Sequence, residues 1–285
     1  PITSSESEEG QPVKLPRLRT VLLTPLVLFG ALYLVGVIAN LLDNRQVPTL
    51  SEARPGSIDK IAIFGASGTA GDGILKAALA DPDVDTIHVI TRRSTPRIEA
   101  GVASGKVVMS KHLDYLDYSA VHGQLRGVRA VYWALGTSAR NVDDDSYTVI
   151  HVDFPVRFVN EWLQVSDRPT IGFHYISSSD ISDDASMHWA REKARAEREL
   201  FAVAEGSKLT VIAYRPDYIR PTEEEAHLGQ VLLYWFFAPV RVALRAREIG
   251  EAMLEVSERG DEFKNGDKLG TGSILRYSKA YRQRK

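Results

Sequence analysis

Residues Lys60 to Leu79 read Lys-Ile-Ala-Ile-Phe-Gly-Ala-Ser-Gly-Thr-Ala-Gly-Asp-Gly-Ile-Leu-Lys-Ala-Ala-Leu, an apolar strand running through three spaced glycines into a helix. The chemistry this spacing suits is the binding of a nucleotide pyrophosphate. Gly65 permits a sharp turn off the strand, Gly68 lets the backbone approach the phosphates, and Gly71 lets helix and strand pack closely. The helix N-terminus then presents unpaired N–H groups and a partial positive charge to the anion. With Ile61, Ile63 and Phe64 before the glycines and Ile74, Leu75, Ala78 and Leu79 after them, the pattern predicts a dinucleotide cradle formed by Gly65, Ser67, Gly68, Thr69, Ala70 and Gly71. The next strand ends in Thr91-Arg92-Arg93, where a binder of NAD(H) would place an acid for the ribose 2′-hydroxyl. A guanidinium fork matches a 2′-phosphate, so Arg92 and Arg93 favour NADP(H) over NAD(H); solvated arginines at a strand end are the plainer alternative.

Strands and helices alternate from Ile58 onward: strands at 60–64, 86–91, 106–110, 130–134, 170–177 and 209–214, helices at 71–80, 118–124, 146–164 and 185–204. Such alternation predicts an α/β domain with a parallel sheet covered on both faces, and binding at the C-terminal strand ends. There the fourth strand ends Leu135-Gly136-Thr137, the fifth ends Ser177-Ser178-Ser179, and Trp189-Ala-Arg-Glu-Lys193 opens the helix that follows. The sixth strand ends Tyr214-Arg215-Pro216-Asp217. Gly136 would let backbone approach the cofactor, and Thr137 or Ser138 could bond its ribose or phosphates.

Taken together, Gly65-Ala-Ser-Gly68-Thr-Ala-Gly71, Arg92-Arg93, Leu135-Gly136-Thr137, Ser177-Ser178, Lys193 with Glu197, and Arg215-Pro216 resemble the atypical or extended short-chain dehydrogenase/reductase superfamily. The branch of the Tat-interacting oxidoreductases is the nearest in pattern. The resemblance covers residues 58–254 and implies a doubly wound parallel-sheet Rossmann domain. It further implies that Leu135, Gly136, Thr137, Lys193 and Arg215 meet the cofactor and that Asp114 meets the adenine edge, against the simpler reading of Asp114 as a turn former. The family's catalytic set is Ser, Tyr and a Lys four residues after the Tyr. Ser178 and Lys193 match it, but Trp189 stands where the Tyr belongs. An indole N–H donates and does not release its proton near neutral pH, so general acid–base work is lost, typically about 10²–10⁴ in rate. The family Gly after Arg215-Pro216 is Asp217 here. His188, beside Trp189, and the phenols of Tyr147, Tyr175 and Tyr218 are the substitutes to consider, although His188 projects about 100° from residue 189 on a helix.

Before this domain, Thr20 to Leu42 is a run of 23 residues without a charged side chain. As a helix it measures roughly 34 Å, enough to span a bilayer. A soluble core helix would show a polar stripe, and a secretory signal would carry a shorter apolar region. The organisation expected is an acidic tail (1–19), a single transmembrane helix (20–43), a linker (44–57), the α/β domain (58–275) and a basic tail (276–285), the last disordered or resting on anionic lipid or an acidic partner. Basic residues tie on the two sides of the span and leave its orientation open. A start without Met fits either Met removal or cleavage of a targeting peptide, which keeps bacterial and mitochondrial inner membranes both in view.

A net charge of −2 argues against a general nucleic-acid binder, and zero cysteines exclude disulfides, thiol catalysis and Cys-ligated zinc. The seven histidines show no metal-ligand spacing, and Asp143-Asp144-Asp145 and Glu223-Glu224-Glu225 read as solvated loops, so no metal is expected. Leu228 to Leu244 is too apolar for a free surface and could meet headgroups, a partner subunit, the substrate pocket or the core. The reading that results is a membrane-anchored NADP(H)-binding accessory protein with degraded chemistry, partnered by the lipid bilayer and by subunits of a membrane complex. Its precedent by resemblance is the nucleotide-binding accessory subunit of respiratory complex I. An active reductase or isomerase acting on a quinone or lipid is the alternative, and a scaffold that has lost its nucleotide is a third.

Overall fold

A computed structural model of the chain describes residues 18–42, 58–224, 226–260 and 262–285. Residues 1–17 of the expected acidic tail, the linker, Glu225 and Asp261 therefore lie outside the described residues. Residues 1–44 and 45–285 form separate units. In the first, α1 (Leu18–Leu41) contains Pro25, and its stretch Leu23–Leu41 is long and apolar enough to cross a membrane.

The second unit is built on a seven-stranded parallel sheet. Its strands are β1 (Lys60–Phe64), β2 (Thr86–Thr91), β3 (Val107–Lys111), β4 (Ala130–Trp133), β5 (Ile171–Ile176), β6 (Leu209–Arg215) and β9 (Asp267–Gly270), in the order β3-β2-β1-β4-β5-β6-β9. Apolar side chains on both faces make such a sheet possible only when both are covered. In β1, Ile61 and Ile63 join one core and Ala62 and Phe64 the other, as the two-residue strand period requires. The first core is closed by α2 (Thr69–Ala80), α9 (Ala246–Glu258) and α10 (Thr271–Arg284), with Ile74, Ile249 and Met253 buried. The second lies under α6 (Phe154–Val165) and α7 (His188–Ala204), where the Phe64 ring stacks 4.6 Å from Trp133 and meets Phe158 edge-on at 4.6 Å. The chain leaves β1 toward β2 and β3 and then returns to pair β4 on the other side, Phe64 opposite Trp133. That reversal opens a crevice beyond the C-terminal ends of β1 and β4.

Several expected elements differ in detail. The helix expected at 146–164 is broken into α5 (Asp144–Thr148), a π turn at Val149–Asp153, and α6. The helix expected at 118–124 is a 3₁₀ turn at Ser119–Val121 followed by α4 (His122–Leu125). Before both in the chain, α3 (Pro96–Ala103) starts at an N-cap Thr95 whose hydroxyl accepts from the Ile98 N–H. After β6, a parallel pair of short strands, β7 (Tyr218–Arg220) and β8 (Ala243–Arg245), brackets α8 (Leu228–Phe237).

The basic tail expected at 276–285 is corrected. Residues 276–284 belong to α10, which Lys285 caps, and their charges meet buried carboxylates of the domain itself: Arg284 pairs with Glu255 and Glu258, Arg282 with Glu251, and Lys285 reaches Asp81 at 2.7 Å. Four acids of α9, Glu248, Glu251, Glu255 and Glu258, are buried and require cationic partners, which α10 and Arg259 supply.

Candidate functional site

At the C-terminal end of β1, Gly65 adopts φ +78°, and a Cβ there would lie 2.5 Å from the carbonyl carbon of Ala134. A Cβ on Gly71 would lie 2.0 Å from the Gly65 oxygen, so helix and turn are in contact only because both residues are glycine. Gly68 differs: a Cβ there would meet only the Gly65 oxygen, at 3.4 Å, leaving its outward side open. As N-cap of α2 it offers no side chain to the first-turn amides, which therefore point free toward the crevice. A cavity of about 330 Å³ opens here, lined by Gly65, Ser67, Gly68, Thr91, Arg92, Arg93, Tyr115, Ala134, Leu135 and Gly136.

The Thr91 hydroxyl donates to the Arg93 carbonyl at 2.9 Å and accepts from the Arg93 N–H at 3.3 Å, closing the turn that presents both arginines. Arg93 Nη2 in turn donates to the Ser67 carbonyl at 3.2 Å, which ties the arginine turn to the glycine loop. Arg92 acts electrostatically on Tyr115, whose phenol burial pushes up to about 12. One acid sits in the first turn of α2, Asp72, and it is neutralised: Arg97 grips it through two bonds of 2.6 and 3.2 Å, and the Thr222 hydroxyl donates to it at 2.6 Å.

A second, more open cleft of about 440 Å³ shares Ala134, Leu135 and Gly136 with the first and adds Thr69, Ala70, Thr137, Ser138, His151, Ile176, Lys193, Asp217 and Ile219. Lys193 donates to the Ile176 carbonyl at 3.4 Å, and burial lowers its ammonium to about 8 against the opposing pull of Glu197. His151 stands in the π turn. Its Nε2 lies 3.2 Å from the Thr137 N–H and 3.0 Å from the Thr137 carbonyl, and the Tyr147 ring stacks on it at 4.1 Å. Burial, reinforced by the Lys193 charge, lowers His151 to about 3, so it is neutral at physiological pH. The Asp217 carboxylate is held by the Thr271 hydroxyl at 2.7 Å.

The structure brings Gly65, Ser67, Gly68, Thr69, Ala70, Arg92, Arg93, Leu135, Gly136, Thr137 and Lys193 to the two joined cavities, with Gly71 packed directly behind the glycine turn. Two residues expected to meet the cofactor, Arg215 and Asp114, line neither cavity. Arg215 forms a bidentate pair with the buried Glu197, at 2.9 and 2.5 Å, because a carboxylate in the core needs both its oxygens satisfied. Asp114 accepts the Leu116 N–H at 2.9 Å and shapes a turn; the neighbouring Tyr115 is the residue that lines the cavity. Ser178 and Trp189 are half-buried and stand outside the lining of the open cleft. His188 is engaged elsewhere, its Nε2 3.1 Å from the Thr148 hydroxyl and 3.1 Å from the Asp144 carbonyl. Tyr147 and Tyr175 are buried, with burial raising both phenols, and Tyr175 donates to the His151 carbonyl at 3.2 Å. Tyr218 donates to the Gln230 carbonyl at 3.4 Å. None of these three phenols lines the cleft. His151 and Tyr115 were not singled out for the site by sequence; the one local signal for His151 is its i, i+4 spacing from Tyr147 on the buried stripe of a helical run.

This sheet order, with a glycine turn at the switch point, is the short-chain dehydrogenase/reductase fold. A short-chain dehydrogenase/reductase from Saccharomyces cerevisiae, YIR035C, superimposes with a TM-score of 0.59 at 13% identity, covering 77% of this chain and 99% of that one. No family model matches the chain. Among curated proteins, leucinostatins biosynthesis cluster protein T of Purpureocillium lilacinum is 28% identical over 140 residues, which is 49% of this chain and half of that protein's length. The mitochondrial protein fmp52-1 of Aspergillus terreus is 30% identical over 169 residues, 58% of this chain and 69% of that protein. The chain belongs to the fmp52 family.

Proposed function

We propose that this protein is a membrane-anchored binder of NADP(H) that keeps its nucleotide for structure or sensing rather than turnover, as an accessory component of a membrane assembly of respiratory type. The fit of the nucleotide rests on the cradle: a glycine turn with no room for a Cβ, uncapped first-turn amides on α2, and two arginines lining the cavity, of which Arg93 is bonded to the glycine loop. Residues 65–71 would hold the pyrophosphate, Arg92 and Arg93 the 2′-phosphate, Tyr115 the adenine side, and Lys193 the nicotinamide ribose. When bound, the nicotinamide supplies a hydride. What the described lining of the cleft lacks is the family's phenol beside it. The observation that carries this reading is the cleft lining, which contains Lys193 and a neutral His151 but no phenol, while the family's Tyr position is Trp189. The parallel in role is the nucleotide-binding accessory subunit of respiratory complex I, a resemblance of design. The name of the Aspergillus relative supports a mitochondrial setting, with a bacterial inner membrane as the other setting the sequence accommodates.

A second reading, an NADPH-dependent oxidoreductase or isomerase acting on a quinone or lipid, is favoured by Lys193 and His151 meeting at one open cleft. One experiment separates the two. The full chain is purified in mild detergent, its released nucleotide is identified by mass spectrometry, and NADPH oxidation is followed with a short-chain quinone. The expected result is one NADP(H) per chain and no turnover above background; oxidation at several turnovers per second refutes the accessory reading and establishes the second.

A further inference from the structure

The helix beside the open cleft is turned inside out. On α8, Leu228, Val231, Leu232, Trp235 and Phe236 share one arc of about 140° at 100° per residue. Leu228, Leu232, Trp235 and Phe236 of this arc are 76, 62, 62 and 44% exposed. Tyr234, on the opposite side, is buried, and the guanidinium groups of Arg220 and Arg245 stack on its ring at 5.2 and 5.6 Å. A soluble helix does the reverse, with its apolar stripe facing the core. Contiguous apolar surface of this kind marks a binding face.

We infer that α8 is an interfacial helix that lies in the surface of a lipid bilayer. This rests on reading Leu23–Leu41 as a membrane anchor. The occupant follows from three features of the chain. The anchor and the domain are joined by residues 43–57, a tether that spans at most about 50 Å, so a bilayer is always at high effective concentration. Leu, Trp and Phe together on one exposed side match the boundary between acyl chains and headgroups. The exposed Arg245, whose guanidinium stacks on Tyr234, adds a cation beside the helix that complements lipid phosphates.

The consequence reaches the site. α8 packs on β7 and β8, and Asp217 and Ile219, at the start of that segment, line the open cleft. Docking α8 sets the cleft beside the lipid, so a small molecule that enters it beside the nucleotide is membrane-dissolved and apolar.

The absence of cysteine makes the test direct. Single variants Leu232→Cys, Phe236→Cys, Leu28→Cys and Asp184→Cys of the full chain are spin-labelled and placed in nanodiscs of mixed phosphatidylcholine and phosphatidylserine. Accessibility to oxygen and to a water-soluble nickel chelate is then read by power saturation, and NADPH binding reports that each variant is folded. Labels at 232 and 236 are expected to follow Leu28→Cys, with an oxygen-to-nickel ratio severalfold above that of Asp184→Cys. If 232 and 236 match Asp184→Cys while Leu28→Cys remains in lipid, the anchor stands and the docking of α8 is overturned. If Leu28→Cys itself is water-exposed, the anchor reading fails. Protection of 232 and 236 from both reagents, persisting in detergent micelles, means a protein surface covers α8 and also overturns the proposal.

Discussion

Exchanging Arg92 and Arg93 for alanine separates recognition of the 2′-phosphate from recognition of the rest of the nucleotide. A hydrogen bond to a charged group is worth about 1.5–3 kcal/mol when well formed. Both arginines are exposed, which lowers that to about 1 kcal/mol each by solvent screening. Arg93 is pre-oriented by its bond to the Ser67 carbonyl, so little further ordering is needed on binding. About 2 kcal/mol for the pair corresponds to roughly a 30-fold rise in the Kd for NADPH. NADH has no 2′-phosphate, and its affinity is expected to move less than about twofold. Calorimetric titration of the full chain in detergent, wild type against the double variant, reads both values, and the discrimination should shrink in high salt. An equal loss for both nucleotides would show that the arginines hold the glycine loop rather than the phosphate. No loss for either would return them to solvated surface residues.

Arg215→Ala strands Glu197 in the core and is expected to cost about 3–5 kcal/mol of stability, visible in chemical denaturation. Arg215→Leu with Glu197→Leu should recover much of it, with NADPH affinity retained; loss of affinity in this folded double variant would restore Arg215 to the cofactor site. Lys193 titrates near 8 in the folded protein against an ordinary 10.5, so the unfolded chain binds more protons between these values and stability rises with pH across that window. Lys193→Met should remove this rise, seen as the wild-type-minus-variant difference in Tm; an unchanged difference from pH 7 to 10.5 refutes the assignment. Glu258 is raised by burial to about 7 from 4.5, so its contribution is full below 4.5 and is lost as pH climbs through 7. Substituting Arg284→Gln and Lys285→Gln, which face it, should steepen the fall in Tm over that range; an unaltered profile refutes the role given to the C-terminal cations. Trp189→Tyr returns a phenol four residues before Lys193, and NADPH oxidation should rise by up to about 10²-fold. Silence in that variant moves the defect from residue 189 to the shape of the cleft.

What sequence conveyed well was whatever depends on local backbone and strand period. Gly65, Gly68 and Gly71 announce their turn because their conformational demands are local, and the alternation of apolar strands with amphipathic helices is enough to imply a parallel sheet. Arg92 and Arg93 were legible because they follow a strand end by a fixed count. Arg215 was not: a place beside a nucleotide was expected from its strand end, while its partner is Glu197 on α7, buried where no pattern in the chain records it. Asp114 and Tyr115 show the same limit at one-residue scale, since a turn sends one side chain to its own backbone and its neighbour into the cavity. The C-terminal cations read as a loose tail because their partners, Asp81 on the far side of the sequence and four acids of α9, are brought together only by the fold.

His151 carries the last step of this argument. A regular helix across 146–164 would rotate it by a fixed 100° from each neighbour, and sequence gives no reason to interrupt it. The π turn inserts its extra residue at 149–153 and places the imidazole against Thr137 and the wall of Gly136, where a Cβ would approach His151 Cε1 to 2.7 Å. Such insertions cost helix regularity and recur at functional sites. Here the gain is a neutral ring that fixes the loop after β4, the same loop that closes both cavities. A ring held so firmly, titrating near 3, positions that loop and does not shuttle protons. The interrupted helix thus supports the loop that lines both cavities, while Trp189 stands outside the lining of the open cleft.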